Sequence, residues 1–120
     1  MEDPAATDAC LRSVATLNRL GVPLVLVHGG GKPIDRAMAE AGLTPKKVAG
    51  RRYTDDATLG IVVRVLHDIN HGLVDKLGAL GAACASCTGD LFGARLTLAG
   101  EGGEPIDLGR VGAVTRIEVD

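Results

Sequence analysis

Aromatic side chains are almost missing from this chain of 120 residues, which has one Tyr, one Phe and no Trp. Any hydrophobic core must therefore be built from Val, Leu, Ile and Ala, and hydrophobic residues still make up 46% of the chain. Such cores are typical of aliphatic parallel strands that alternate with Ala-rich helices. The length fits one compact domain and hardly two.

The chain also lacks features that other classes of protein need. It has no apolar run long enough to span a bilayer, and its acidic start, MEDPAATDAC, has no secretory signal pattern. The formal net charge is -2, without a Lys/Arg run, which argues against nucleic acid or an anionic membrane as a partner. Three cysteines without framework spacing suit a reducing compartment, so we expect a cytoplasmic protein.

Glycine, by contrast, is abundant at 17 residues, and three glycines stand together in PLVLVHGGGKPIDRAMAEAG. The backbone N–H groups of a glycine-rich turn and the N-terminus of the following helix together form an anion site, usually for phosphate. Gly29, Gly30 and Gly31 are therefore a candidate phosphate loop. Their spacing matches neither the dinucleotide nor the Walker fingerprint, and a tight turn without a ligand is the alternative.

Hydrophobic periodicity predicts three helices. The first begins at Pro4 with Asp3 as its cap, the second covers residues 32–41, and the third runs from 55 to about 80 with an interruption at 70–72. We expect Thr54 to cap the third helix. Its apolar residues surround most of its circumference, which implies a second apolar partner.

The remaining segments predict strands. The runs PLVLV (23–27) and AACAS (82–86) are predicted to be buried strands, and ARLTLAG and RVGAVTRIEV to be further strands. The basic segment TPKKVAGRRYT (44–54) is predicted to be a short hairpin or an extended loop. The order strand, helix, strand implies a parallel sheet with right-handed crossovers. The predicted fold class is α/β, an αβα sandwich with a mainly parallel sheet and an antiparallel edge.

Several reactive side chains have a simpler structural explanation. We interpret Cys84 and Cys87 as small buried residues rather than a redox or metal pair. His28 is predicted to make a structural hydrogen bond to a neighbouring loop. His67 and His71 have the spacing of metal ligands on a helix but no third ligand, so a solvated face is the better interpretation. The sequence therefore predicts no metal site.

Three motifs in order, VHGGG, GRRYTDDATL and DLGRVGAV, resemble the acetylglutamate kinase family of the amino acid kinase superfamily. The resemblance covers nearly the whole chain. It implies that Gly30 and Gly31 lie between the substrate and the γ-phosphate of ATP and that Arg52 binds a substrate carboxylate. The implied reaction is in-line transfer of a phosphoryl group to the side-chain carboxylate of N-acetyl-L-glutamate, in arginine biosynthesis.

The same resemblance implies how much of the enzyme is present. A Lys-bearing first strand and the nucleotide-binding half have no counterpart, so residues 1–120 are expected to form a single partial domain, the acceptor-binding lobe. ATP and Mg²⁺ would serve the full enzyme and neither is expected to bind this chain alone. We assign no catalytic residue, expect the isolated chain to be inactive, and expect a homodimer.

Two alternatives remain open at the level of the sequence. One is a related carboxylate kinase acting on carrier-bound aminoadipate, which the pocket around Arg52 would distinguish. The other is a non-catalytic module that binds the acceptor or dimerises without transferring a phosphoryl group.

Overall fold

The computed structural model describes residues 3–88, 91–100 and 102–117. The chain divides into two compact units, one formed by residues 1–30 and 65–86 and the other by residues 31–64 and 87–120. The helices are α1 (Pro4–Arg19), α2 (Gly31–Glu40) and α3 (Asp56–Ala79), and the strands are β1 (Lys47–Val48), β2 (Arg51–Arg52), β3 (Leu91–Ala99) and β4 (Pro105–Ile117).

Helix α1 begins as the sequence predicts. The Asp3 carboxylate accepts hydrogen bonds from the backbone N–H groups of Ala5 (2.9 Å) and Ala6 (3.1 Å), and Pro4 occupies the first turn, where its missing N–H costs nothing. The helix ends before Gly21, whose φ of 78° is left-handed.

The core of the first unit joins α1 to the second part of α3. Both helices contribute aliphatic side chains spaced three or four residues apart, which places them on one face of each helix. The buried members on the helices are Leu11, Ala15, Leu73 and Leu77. Ala82, beyond the end of α3, is buried with them, and Val14, Ile69 and Leu80 pack against the cluster. The Asn18 side chain fixes the segment after α3 by accepting from the Ala83 N–H (3.0 Å) and donating to the Ala83 carbonyl (3.2 Å).

In the second unit, α2 buries Ile34 and Met38, one turn apart. Of the two structures predicted for the basic segment, the hairpin is the one that forms: β1 pairs antiparallel with β2 across a two-residue turn, Ala49–Gly50. Both turn residues have positive φ, 48° and 75°, as the favoured two-residue hairpin turns require. The hairpin fixes the position of the arginines on β2.

Helix α3 departs from the prediction at two points. Asp55, not Thr54, caps it, because the Asp55 Oδ1 atom accepts from the Thr58 N–H at 2.8 Å while Thr54 is buried upstream of the helix. The helix also continues through residues 70–72, where burial of Leu73 outweighs the intrinsic cost of Gly72. None of the described helices is both long and apolar enough to cross a membrane.

The two later strands are confirmed as an antiparallel pair. β3 pairs with β4 from Leu91↔Ile117 to Ala99↔Pro105, with irregularities after Phe92 and Arg95. An isolated parallel bridge connects Thr54 with Gly109 on β4. At this bridge the Thr54 N–H donates to the Leu108 carbonyl (3.0 Å) and the Arg110 N–H donates to the Thr54 carbonyl (2.5 Å). Leu108 is fully buried beside it.

The prediction of a mainly parallel sheet is wrong for the described residues. Their named strands form two antiparallel pairs, β1 with β2 and β3 with β4. The PLVLV and AACAS segments carry no strand, and Val25 and Val27 are 92% and 87% exposed. An apolar run becomes a strand only when a neighbour accepts and donates its backbone hydrogen bonds. The sequence shows that the segment is apolar, but it does not show whether a neighbouring strand is present to pair with it.

Candidate functional site

The three glycines connect an extended segment to helix α2. Gly29 and Gly30 follow that segment, and Gly31 is the first residue of the helix. None of them is among the described glycines with positive φ, so backbone conformation does not require glycine here. A Cβ atom at Gly29 or Gly31 would meet no other atom within 4 Å. What these positions offer is bare backbone at the start of a helix.

His28 precedes the loop and makes the structural hydrogen bond that the sequence predicts, although its partner lies on a helix rather than a loop. The Asn70 Nδ2 atom of α3 is 3.3 Å from His28 Nε2. Nδ2 is a donor, so Nε2 accepts and the ring proton is assigned to Nδ1. Among the described residues, His28 Nδ1 and Asn70 Oδ1 are buried without a hydrogen-bond partner.

Arg52 lies on β2 with its guanidinium against helix α2, and its side chain is 18% exposed. Its Nη2 atom is 2.5 Å from Asp35 Oδ1, a close ion pair without hydrogen-bond alignment. Nη1 donates to the Met38 sulfur at 3.2 Å, and Nη2 donates to the Gly31 carbonyl at a long 3.5 Å. Within the second unit the structure therefore brings Arg52 close to Gly31.

Sequence reasoning did not single out Asp35. Its signal is the spacing of Gly31, Asp35 and Met38, which lie four and three residues apart and so share one stripe of α2. Arg52 contacts all three residues, and through this side chain the basic hairpin packs against α2. Arg51, the neighbour of Arg52 on the same strand, is exposed.

A second charged cluster holds the start of α3 to β4. Arg110 Nε and Nη2 donate to the two carboxylate oxygens of Asp56, at 2.7 and 3.4 Å, and the first of these hydrogen bonds is the main cause that lowers the pKa of Asp56. The Gly109 N–H, with Arg95 second, lowers the pKa of Asp107. These contacts give the DLGRVG motif a structural role.

The remaining reactive residues do not form a site. Cys84 and Cys87 are exposed, so the prediction that they are buried is wrong; they follow α3 in a segment without strand pairing. His67 and His71 are exposed on α3 with their rings 6.0 Å apart. In residues 3–88, 91–100 and 102–117 no group of three or more His, Cys, Asp or Glu side chains could hold a metal ion.

Comparison with known proteins places these features in a family. The model of the amino acid kinase family matches residues 1–120. Acetylglutamate kinase of Akkermansia muciniphila is 41% identical over 117 residues, which cover 95% of this chain and 39% of the relative. Acetylglutamate kinase of Methanocaldococcus jannaschii is 37% identical over 131 residues, covering all of this chain and 43% of the relative. The chain thus spans about two-fifths of the length of the curated relatives it matches.

A solved structure supports the same fold. N-acetylglutamate synthase from Neisseria gonorrhoeae, complexed with coenzyme A and L-arginine, superimposes with a TM-score of 0.66 at 21% identity. The match covers 97% of this chain and 28% of the synthase chain. From the family model over its whole length and the fold of this neighbour, the chain belongs to the amino acid kinase family and carries part of that family's fold.

Proposed function

We propose that this chain supplies the acceptor-binding part of a kinase that uses ATP to phosphorylate the side-chain carboxylate of N-acetyl-L-glutamate. The observation that carries the proposal is the 41% identity to an acetylglutamate kinase across 95% of the chain. The partly buried guanidinium of Arg52 and the exposed backbone of Gly31 at the start of α2 are compatible with it.

Arg52 is the residue we propose to bind a carboxylate of the acceptor. A guanidinium presents paired N–H donors in one plane, which matches the two oxygens of a carboxylate. Its side chain is mostly shielded from water, so an added charge-assisted contact is screened less than at a free surface. In the described part of the chain Nε makes no hydrogen bond, and it can therefore donate to an incoming oxygen.

The glycine loop is the element we propose to lie against the transferring phosphate. Gly30 and Gly31 need no left-handed backbone; at the exposed Gly31 no side chain blocks the approach of an anion, whereas Gly30 is buried behind it. Helix α2, which begins at Gly31, adds a partial positive charge at its N-terminus. The Mg²⁺ implied by the family has no set of side-chain ligands among the described residues and enters no step of this proposal.

The test is calorimetric binding of N-acetyl-L-glutamate to the 120-residue chain and its variants. Arg52→Ala should weaken binding by about 2–5 kcal/mol, because a desolvated ligand carboxylate loses its charged partner. Arg52→Lys should recover only part of the loss, since an ammonium cannot reproduce the planar fork.

Arg51→Ala is the matched control for this experiment. It removes the same charge from the adjacent residue of β2, which is exposed, and should change binding by a factor of two or less, on the order expected of a screened surface charge. Equal affinity in the Arg52→Ala variant and the unmodified chain would contradict the proposed acceptor site.

A further inference from the structure

We propose that Asp35 is a positioning residue for the acceptor site: its carboxylate holds the Arg52 guanidinium against helix α2 so that the edge containing Nε is presented to the ligand. The inference rests on the proposed function of Arg52 and adds a residue that the sequence motifs do not single out.

The polar contacts that the guanidinium makes with described residues come from a single stripe of α2. Asp35 binds Nη2, Met38 accepts from Nη1, and the Gly31 carbonyl is a long contact of Nη2. Of these partners only Asp35 is charged, so it provides the strong contact, whereas a thioether is a weak acceptor. A helix holds its side chains at fixed spacing, and Asp35 therefore ties Arg52 to a rigid element rather than to its own two-residue strand.

Removing Asp35 has two opposed consequences. The guanidinium loses its anchor and regains rotamer freedom, which must be lost again when the ligand binds. Loss of a negative charge near the site would, by itself, strengthen the binding of an anion. Because Asp35 uses only Nη2 and leaves Nε without a hydrogen bond in the described part, the first effect should dominate. Weaker ligand binding after removal of Asp35 would therefore show that Asp35 positions Arg52. Tighter binding would show that Asp35 competes with the ligand for the guanidinium.

The experiment compares four chains of 120 residues by calorimetric titration with N-acetyl-L-glutamate: the unmodified chain, Asp35→Ala, Asp35→Asn and Asp56→Ala. We expect Asp35→Ala to bind about fivefold more weakly, the upper range for a partly exposed ion pair. Asp35→Asn keeps the size of the side chain but removes the charge that makes the contact, so it should bind about as weakly as Asp35→Ala. Asp56→Ala breaks another close Arg–Asp pair, the one at the start of α3, and should leave the affinity unchanged.

A second measurement tests, without any ligand, whether Asp35 restricts the motion of the Arg52 side chain. The ¹⁵N relaxation of the Arg52 Nε–H group should show a side chain that is ordered in the unmodified chain but mobile in Asp35→Ala and in Asp35→Asn. Tighter or unchanged binding by Asp35→Ala, or an equally ordered Arg52 in that variant, would overturn the proposal. If the unmodified chain fails to bind, the proposed function fails, while the relaxation data still decide whether Asp35 orders Arg52.

Discussion

Gly109 is the residue where substitution has the clearest steric consequence. Its φ is 73°, and a Cβ atom placed there would be 2.8 Å from the carbonyl carbon of Thr54. Both the backbone conformation and the close approach of the two segments therefore require glycine. The sequence shows the glycine within DLGRVG, but the reason for it lies in a contact with a residue far away in the chain.

We predict that Gly109→Ala lowers the free energy of unfolding by about 2–4 kcal/mol, since it combines a left-handed Ala with an overpacked contact. Gly103→Ala is the matched control, because Gly103 has a φ of 82° but no atom within 4 Å of the added Cβ. It should cost only about 1 kcal/mol. Urea unfolding of both variants measures the difference, and equal losses would show that the Thr54 contact relaxes freely.

The lowered pKa of Asp107 predicts how the stability of the chain depends on pH. Hydrogen bonds from the Gly109 N–H and then from Arg95 lower its pKa below the ordinary aspartate value near 3.8. The stabilisation is therefore complete above that value and is lost as the pH falls through the lower pKa of the folded state. Asp107→Asn should be less stable than the unmodified chain at pH 7, and the gap should close on acidification below pH 4. Thermal unfolding across this range measures it; a gap that stays constant would contradict the assignment.

At the scale of elements, the cap of α3 can be tested directly. Asp55 accepts from the Thr58 backbone N–H, the contact that contributes most to lowering its pKa. We predict that Asp55→Ala destabilises the chain by about 1 kcal/mol and that Asp55→Ser, another good cap, recovers most of it. Urea unfolding monitored by helical circular dichroism measures both. If Asp55→Ala and Asp55→Ser are equally destabilised, the side-chain cap does not support the helix.

The elements that sequence reasoning predicts correctly are those defined by local signals. The start of α1 follows from Asp3 and Pro4, and the basic hairpin from Gly50 beside its strands. The cap of α3 is off by one residue because Thr54 and Asp55 are both good cap residues, and the bridge to Gly109 occupies Thr54. Local propensity cannot decide between neighbours that a distant contact distinguishes.

The sheet prediction fails for a different physical reason. Alternation identifies β3 and β4, which supply each other's hydrogen bonds within one hairpin. The PLVLV segment needs a partner strand, and no part of its own sequence specifies one. The candidate site is likewise only partly predictable from the sequence. Motifs predict the glycine loop and Arg52, whereas Asp35 is identified only from its contact with Arg52 in the structure.

At the scale of the whole molecule, we propose that the chain self-associates through α3. The helix has apolar residues on most of its circumference, and Val63 is 48% exposed. We expect sedimentation of the unmodified chain to show a dimer and replacement of both Val62 and Leu66 by Asp to give a monomer. Circular dichroism of this variant establishes that it is folded, and a monodisperse monomer in the unmodified chain would contradict the prediction.

Val25→Thr with Val27→Thr is the control that separates a specific dimer from general stickiness. These two side chains are the most exposed large hydrophobics of the described residues, and they lie on the segment that carries no strand. The substitution should reduce binding of a hydrophobic dye while leaving the α3 dimer intact. Loss of the dimer in this variant would assign the association to the extended segment instead.

The bridge between Thr54 and Gly109, with the Arg110–Asp56 pair beside it, also has a consequence for the order of folding. The ion pair joins residues 54 positions apart, so its formation closes a long loop, whereas α3 and the β3–β4 hairpin need only local closures. Helices form in about a microsecond and hairpins within about ten, so both should precede the bridge. We therefore expect Gly109→Ala to accelerate unfolding more than it slows refolding, as measured by stopped-flow mixing with urea, since a late contact contributes little to the transition state.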